Sequence, residues 1–314
     1  MSHPSRRLAL PALALMAVGL LAACGGSATP SDGSTSPSTG PTIVAAFYPL
    51  AYAAEQVAGP DATVINLTPP GAEAHDLELT AQQVAQIADA DLVLYIPGFQ
   101  PAVDEAVEQQ AGDRALNVTE AIELLPAEEH GDEHAGEEDH AALDGDPHVW
   151  LNPLNMATIG GEIAARLSSN SSIAATAEKG ASDLRASMEA LNAEWAAGTA
   201  ACTIRDLVVS HEAFGYLAAA YGFTQMGIAG LSPEAEPSPA RLAEVAKFVR
   251  DNGITTIYYE TLVDPKVAQT VAAETGAATA VLDPLEGLPE GYVGDYVTVM
   301  KDNLAQVRAG QGCT

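Results

Sequence analysis

Short apolar runs rich in β-branched residues alternate with helix-forming segments in two series, and a long helical stretch separates the series. The first series holds "TIVAAFY" (42–48), "ATVINL" (62–67) and "DLVLYI" (91–96). The second holds "DLVVSH" (206–211), "FTQMGIA" (223–229), "ITTIYYE" (254–260) and "ATAVLD" (278–283). Helical patterns lie between the runs, such as "TAQQVAQIADA" with Thr80 as its cap. Another is "SPARLAEVAKFVRDNG", with Ser238 as cap, Pro239 in the first turn and Gly253 past the end. Continuously apolar strands separated by helices predict parallel sheets covered on both faces. The expected fold class is therefore α/β, with two Rossmann-like lobes joined by one long rigid helix. The expected boundaries are 41–152 for the first lobe, 153–201 for the linking helical region and 202–314 for the second lobe.

The first residues read as an address. Arg6 and Arg7 precede the apolar run "LALPALALMAVGLLAA", which ends in "LAAC" at Cys24. This ending resembles a bacterial lipobox, so residues 1–23 are expected to be a lipoprotein signal peptide and Cys24 the lipid-bearing residue. The Gly/Ser/Thr/Pro tract that completes 24–40 cannot build a core and reads as a tether, with an end-to-end distance on the order of 20–25 Å. The expected location is the extracytoplasmic face of the cell membrane. In that oxidising compartment Cys202 and Cys313 form an even pair, too far apart in sequence for a thiolate metal site, and a disulfide is the favoured reading.

The chain carries 42 Asp+Glu against 13 Lys+Arg, a formal charge of −29. Nucleic acid is excluded as a partner, because phosphates call for a basic surface. Collection of cations remains open, as does simple solubility. Four of the seven histidines fall between residues 128 and 150, in "EEHGDEHAGEEDHAALDGDPHVW". Three of them, His130, His134 and His140, sit in an acidic loop (127–145) whose Gly131 and Gly136 disfavour a helix. They are candidates for a weak auxiliary metal site.

The other chemistry-bearing residues fall where open parallel sheets bind ligands, beyond the carboxyl ends of strands. His211 ends "DLVVSH" and Asp283 ends "ATAVLD"; His75 lies in "PPGAEAHDLELT" and His148 in "DPHVWLNP". Three imidazoles and a carboxylate would close a four-coordinate shell between the lobes. Each has an ordinary reading alone, as a surface or core histidine or a turn-forming aspartate. Their convergence favours a site.

In this order "FYPL", "PPGAEAHDLELT", "DPHVWLNP", "SHEAFGYLAAAYGF", "EPSPARL" and "LDPL" resemble the metal-binding lipoproteins of zinc and manganese ABC uptake systems, the cluster A-I or cluster 9 substrate-binding family. The resemblance runs from about residue 42 to the C-terminus. It implies that His75, His148, His211 and Asp283 are the metal ligands. The histidine at 211 implies a zinc-type member, where manganese-type members commonly carry glutamate. Glu212 and Glu260 are candidates to orient ligands from behind. The expected function is capture of Zn²⁺ by a monomeric, lipid-anchored protein and delivery to an ABC permease, with no reaction catalysed. A manganese-binding member and a lipid-anchored adhesin or metal buffer are the alternatives. A secreted zinc hydrolase is a weaker rival, since four protein ligands leave no position for water and HExxH is absent.

Overall fold

A computed structural model describes residues 40–127 and 145–313. The expected signal peptide, Cys24 and nearly all of the tether lie outside the described residues, as do His130, His134 and His140.

The first series comprises β1 (Thr42–Ala45), α1 (Tyr48–Ala58), β2 (Thr63–Asn66), α2 (Ala81–Asp89), β3 (Leu92–Tyr95), α3 (Pro101–Gln110) and β4 (Ala115–Asn117). Two helices follow, α4 (Pro153–Leu167) and α5 (Ala174–Thr199). The second series is β5 (Asp206–Val209), α6 (Gly215–Tyr221), β6 (Thr224–Gly227), α7 (Pro239–Asp251), β7 (Thr256–Tyr259), α8 (Lys266–Thr275), β8 (Ala278–Val281) and α9 (Tyr296–Gly310). The strands form two four-stranded sheets, ordered β2-β1-β3-β4 and β6-β5-β7-β8, and every pairing is parallel. The α/β class and the two-sheet plan are as expected. Both sheets change winding direction beside their first strand, which opens a crevice at the carboxyl ends there.

Local signals act as the sequence suggests. Thr80 and Gln83 form a reciprocal capping box on α2. Ser238 Oγ accepts from Arg241 N at 3.2 Å to cap α7, and Gly253 takes φ +63° beyond its end. The strands are shorter than the apolar runs: Pro49 starts α1 early and leaves only Thr42–Ala45 extended.

The linking region contains two helices, separated by "SSNSS" between Leu167 and Ala174, and the second is the long one. The second, α5, has 26 residues and a length of about 39 Å. Its buried residues Ala177, Leu184, Met188, Leu191, Trp195 and Thr199 follow helical spacing on one stripe. That stripe packs on α1 and α4 from the first half and on α6 and α9 from the second. Gly180 sits where a Cβ would lie 2.4 Å from the Val57 carbonyl, so α5 can approach the end of α1 only with glycine there. Trp195 Nε1 donates to Met300 O at 3.1 Å, tying α5 to α9.

One continuous cluster of buried apolar residues runs from Ile43 to Val307 and draws on both halves. A smaller one, with Val208, Val245, Ile257 and Val271, lies within the second sheet and its helices. Cys202 and Cys313 are joined by a disulfide, as expected. Beside it Gln311 O accepts from Thr203 N and Ile204 N, and Gln311 Nε2 donates to Asp206 O. The end of α9 is thereby fixed at the start of β5.

Candidate metal centre

His75 is carried by the loop after β2. Thr68 Oγ1 donates to Ala46 O, and Gln100 Nε2 donates to Thr68 Oγ1 and Ala74 O, which anchors the loop at both ends. Glu73 accepts from the backbone N–H groups of His75 and Asp76 and shapes the turn. The imidazole rests edge-on against Phe99, with ring centroids 4.4 Å apart. His148 follows Asp146-Pro147. A single oxygen, Asp146 Oδ1, accepts from His148 N at 2.9 Å and from Nδ1 at 2.7 Å. His211 leaves β5, and Glu260 leaves β7 with Oε1 2.6 Å from His211 Nδ1. Both Nδ1 atoms therefore carry hydrogen, and both Nε2 atoms are directed to one point.

The fourth group at that point is Glu286, in the loop after β8. Its Oε1 lies 3.4 Å from His75 Nε2, 3.4 Å from His148 Nε2 and 3.1 Å from His211 Nε2. The Nε2 atoms of His148 and His211 are 3.4 Å apart. A tetrahedral ion with bonds of about 2.0–2.1 Å sets its ligand atoms roughly 3.3–3.4 Å from one another. These four separations are close to the edges of a zinc-sized tetrahedron, and all four atoms lie within 4.8 Å of one another. His148 and His211 are fully buried.

Asp283 does not join this group. Its Oδ2 accepts from Thr261 Oγ1 at 2.7 Å and its Oδ1 from Leu285 N at 2.8 Å. Two residues along, Leu285 adopts φ 60°, the one positive value for a non-glycine residue among those described. This left-handed step costs roughly 1–2 kcal/mol and turns the backbone so that Glu286 reaches the imidazoles. "LDPLEGL" offered two carboxylates, and the resemblance pointed to the first. Glu260 is hydrogen-bonded behind His211, and Asp146, not among the candidates read from the sequence, is placed likewise behind His148. The signal for Asp146 was its place two residues before a histidine, the spacing of an Asx turn. Glu212 is instead bonded to the buried Arg241, whose Nη2 also donates to Gly227 O at 2.6 Å. A second acidic group, Glu73, Asp76 and Glu234, lies nearer the surface and holds carboxylates alone.

The electrostatics fit a cation. Burial opposes charge on His211, yet Glu260 and Glu286 push its pKa up to about 10. Burial likewise opposes charge on His148, and the hydrogen bond and negative charge of Asp146 outweigh it and raise the pKa. Burial works to raise the pKa of Glu286, but His211 and the hydrogen bonds of His148 hold it well below the usual carboxylate range. Three buried carboxylates, Asp146, Glu260 and Glu286, surround the imidazoles. A dication offsets most of that negative charge; otherwise protons must.

A family profile described as zinc-uptake complex component A, periplasmic, matches residues 43–310. The zinc-binding lipoprotein AdcA of Streptococcus pneumoniae is 37% identical over 276 residues, which are 85% of this chain and 55% of that protein. The chain therefore spans about half the length of that relative. The high-affinity zinc uptake system protein ZnuA of Bacillus subtilis is 33% identical over 299 residues, 91% of this chain and 92% of that one. Among solved structures, the Zn(II)-bound ZnuA-like domain of S. pneumoniae AdcA superposes with a TM-score of 0.71 at 34% identity. The match covers 87% of this chain and 99% of that one. The laminin-binding protein of Streptococcus agalactiae, described as bifunctional with adhesin and metal-transporting activity, gives 0.75 at 28%, covering 87% and 100%.

Proposed function

The chain belongs to the zinc-uptake complex component A family, and from that premise we propose that it captures Zn²⁺ outside the cytoplasm and passes it to an ABC permease. The observation that carries this reading is the convergence of the His75, His148 and His211 Nε2 atoms on Glu286 Oε1, at 3.1–3.4 Å from it and within 4.8 Å of one another. Three nitrogens and one carboxylate suit zinc, whereas manganese favours a larger share of oxygen. The ion is cargo, and its release must be as feasible as its capture. With four protein ligands the shell is closed to a catalytic water, which fits a carrier that makes and breaks no bond.

The relatives named as lipoproteins and the family's periplasmic description support the leader reading. In this proposal Cys24 carries the lipid and the protein works as a tethered monomer beside its permease. Asp283 takes a supporting role in the Glu286 loop, and any binding by His130, His134 and His140 is auxiliary. Titration of the metal-free protein with Zn²⁺ in competition with Mn²⁺ tests the reading. One tight equivalent of zinc that manganese does not displace is expected. Preferred binding of manganese would reject it.

A further inference from the structure

Trp150 connects the two halves of the metal centre. It lies two residues after His148, and its indole Nε1 donates to Pro284 O, two residues before Glu286, at 2.7 Å. Its own carbonyl accepts from Tyr296 Oη at 2.6 Å. The ring is fully buried, with centroids 4.7 Å from Phe47, 5.3 Å from Phe99 and 5.1 Å from His148.

The backbone it holds is the strained one. Leu285, between Pro284 and Glu286, has φ 60°. Such a conformation persists only where its surroundings over-determine it. Asp283 Oδ1 holds Leu285 N. Asn303 exchanges two hydrogen bonds with the Asp283 main chain, at 2.9 and 2.7 Å. Those restraints come from the second half of the chain and fix the loop to α9. The bond from Trp150 comes from the first half and fixes the loop relative to His148.

We propose that Trp150 is a positioning residue for metal capture: its indole N–H holds the Pro284–Leu285 backbone so that Glu286 stands at ligand distance from the imidazoles before the ion arrives. This rests on the reading of Glu286 as a ligand. Trp150→Phe keeps an aromatic ring against Phe47 and Phe99 and removes the donor. Its zinc affinity should fall about tenfold, the scale of one buried hydrogen bond. In a Glu286→Ala background the same substitution should change affinity by less than about twofold, because the effect runs through Glu286. Equal losses in both backgrounds, or no loss in either, would overturn the proposal. An unaffected Glu286→Ala would sink the ligand reading and the strut with it. A crippled Glu286→Ala beside an indifferent Trp150→Phe would sink the strut alone. Should Trp150→Phe fail to fold, indole hydrogen exchange in the metal-free native protein decides, with Trp195→Phe assigning the two signals. Slow exchange at Trp150 supports the strut, and exchange at the rate of free indole rejects it.

Discussion

At the scale of residues, the three imidazoles were legible and Glu286, the proposed fourth ligand, was not. His75, His148 and His211 stand in motifs at loops and strand ends, so spacing and resemblance lead to the same atoms. Glu286 depends on a left-handed leucine, and nothing in "LDPLEGL" announces that a buried Leu285 takes φ 60°. The two carboxylates separate cleanly by mutation. Glu286→Ala should weaken zinc binding by about a hundredfold or more, above the range for loss of a supporting partner. Asp283→Asn keeps an oxygen for Leu285 N and should stay within about tenfold of the parent by the same scale. The reverse order, measured by competition with a chromophoric chelator, would return Asp283 to the ligand set. Proton release tests the electrostatics. With its pKa pushed up to about 10, His211 is protonated in the metal-free protein at pH 7.5, and zinc must expel that proton. The pKa of His148 is shifted in the same direction by Asp146. Calorimetry in buffers of different ionisation enthalpy should find about one to two protons released per zinc at pH 7.5. Apparent affinity should climb as pH rises and fall as it drops, since each retained proton competes with the ion. Binding without proton release would contradict the assignment.

At the scale of elements, periodicity and caps located most helices and strands, while packing set their lengths. Thr80, Ser238 and Gly253 act where the sequence placed them because their roles are local. The break between α4 and α5 is also local, at the Ser/Asn run between Leu167 and Ala174. β4 is three residues long, too short for an apolar run to stand out, and it exists because β3 supplies its partner. The final helix is placed by a covalent link. Cys202–Cys313 closes a loop spanning 111 positions, and the chain-entropy model gives about 4–5 kcal/mol as an upper value. Removing the bond in a Cys202→Ser/Cys313→Ser variant should lower the melting temperature by roughly 5–15 °C with zinc binding retained. Thermal unfolding with and without reductant reads this directly. An unchanged midpoint would show that α9 docks without the bond.

At the scale of the whole molecule, the shared core explains how the two halves bring the four candidate groups together. The cluster from Ile43 to Val307 is shared by both halves, and α5 packs on helices of each. Two sheets of the same strand order therefore present their carboxyl ends to a common centre. In the proposed site each half supplies two ligands, so bound zinc should link them and stabilise the fold by mass action. The most direct test of this account is an anomalous difference map at the zinc edge from crystals of the protein loaded with one equivalent of Zn²⁺. The account predicts a single strong peak about 2.0–2.2 Å from the Nε2 atoms of His75, His148 and His211 and from Glu286 Oε1. A principal peak bound by Asp283 in place of Glu286, or one at Glu73, Asp76 and Glu234, would contradict it.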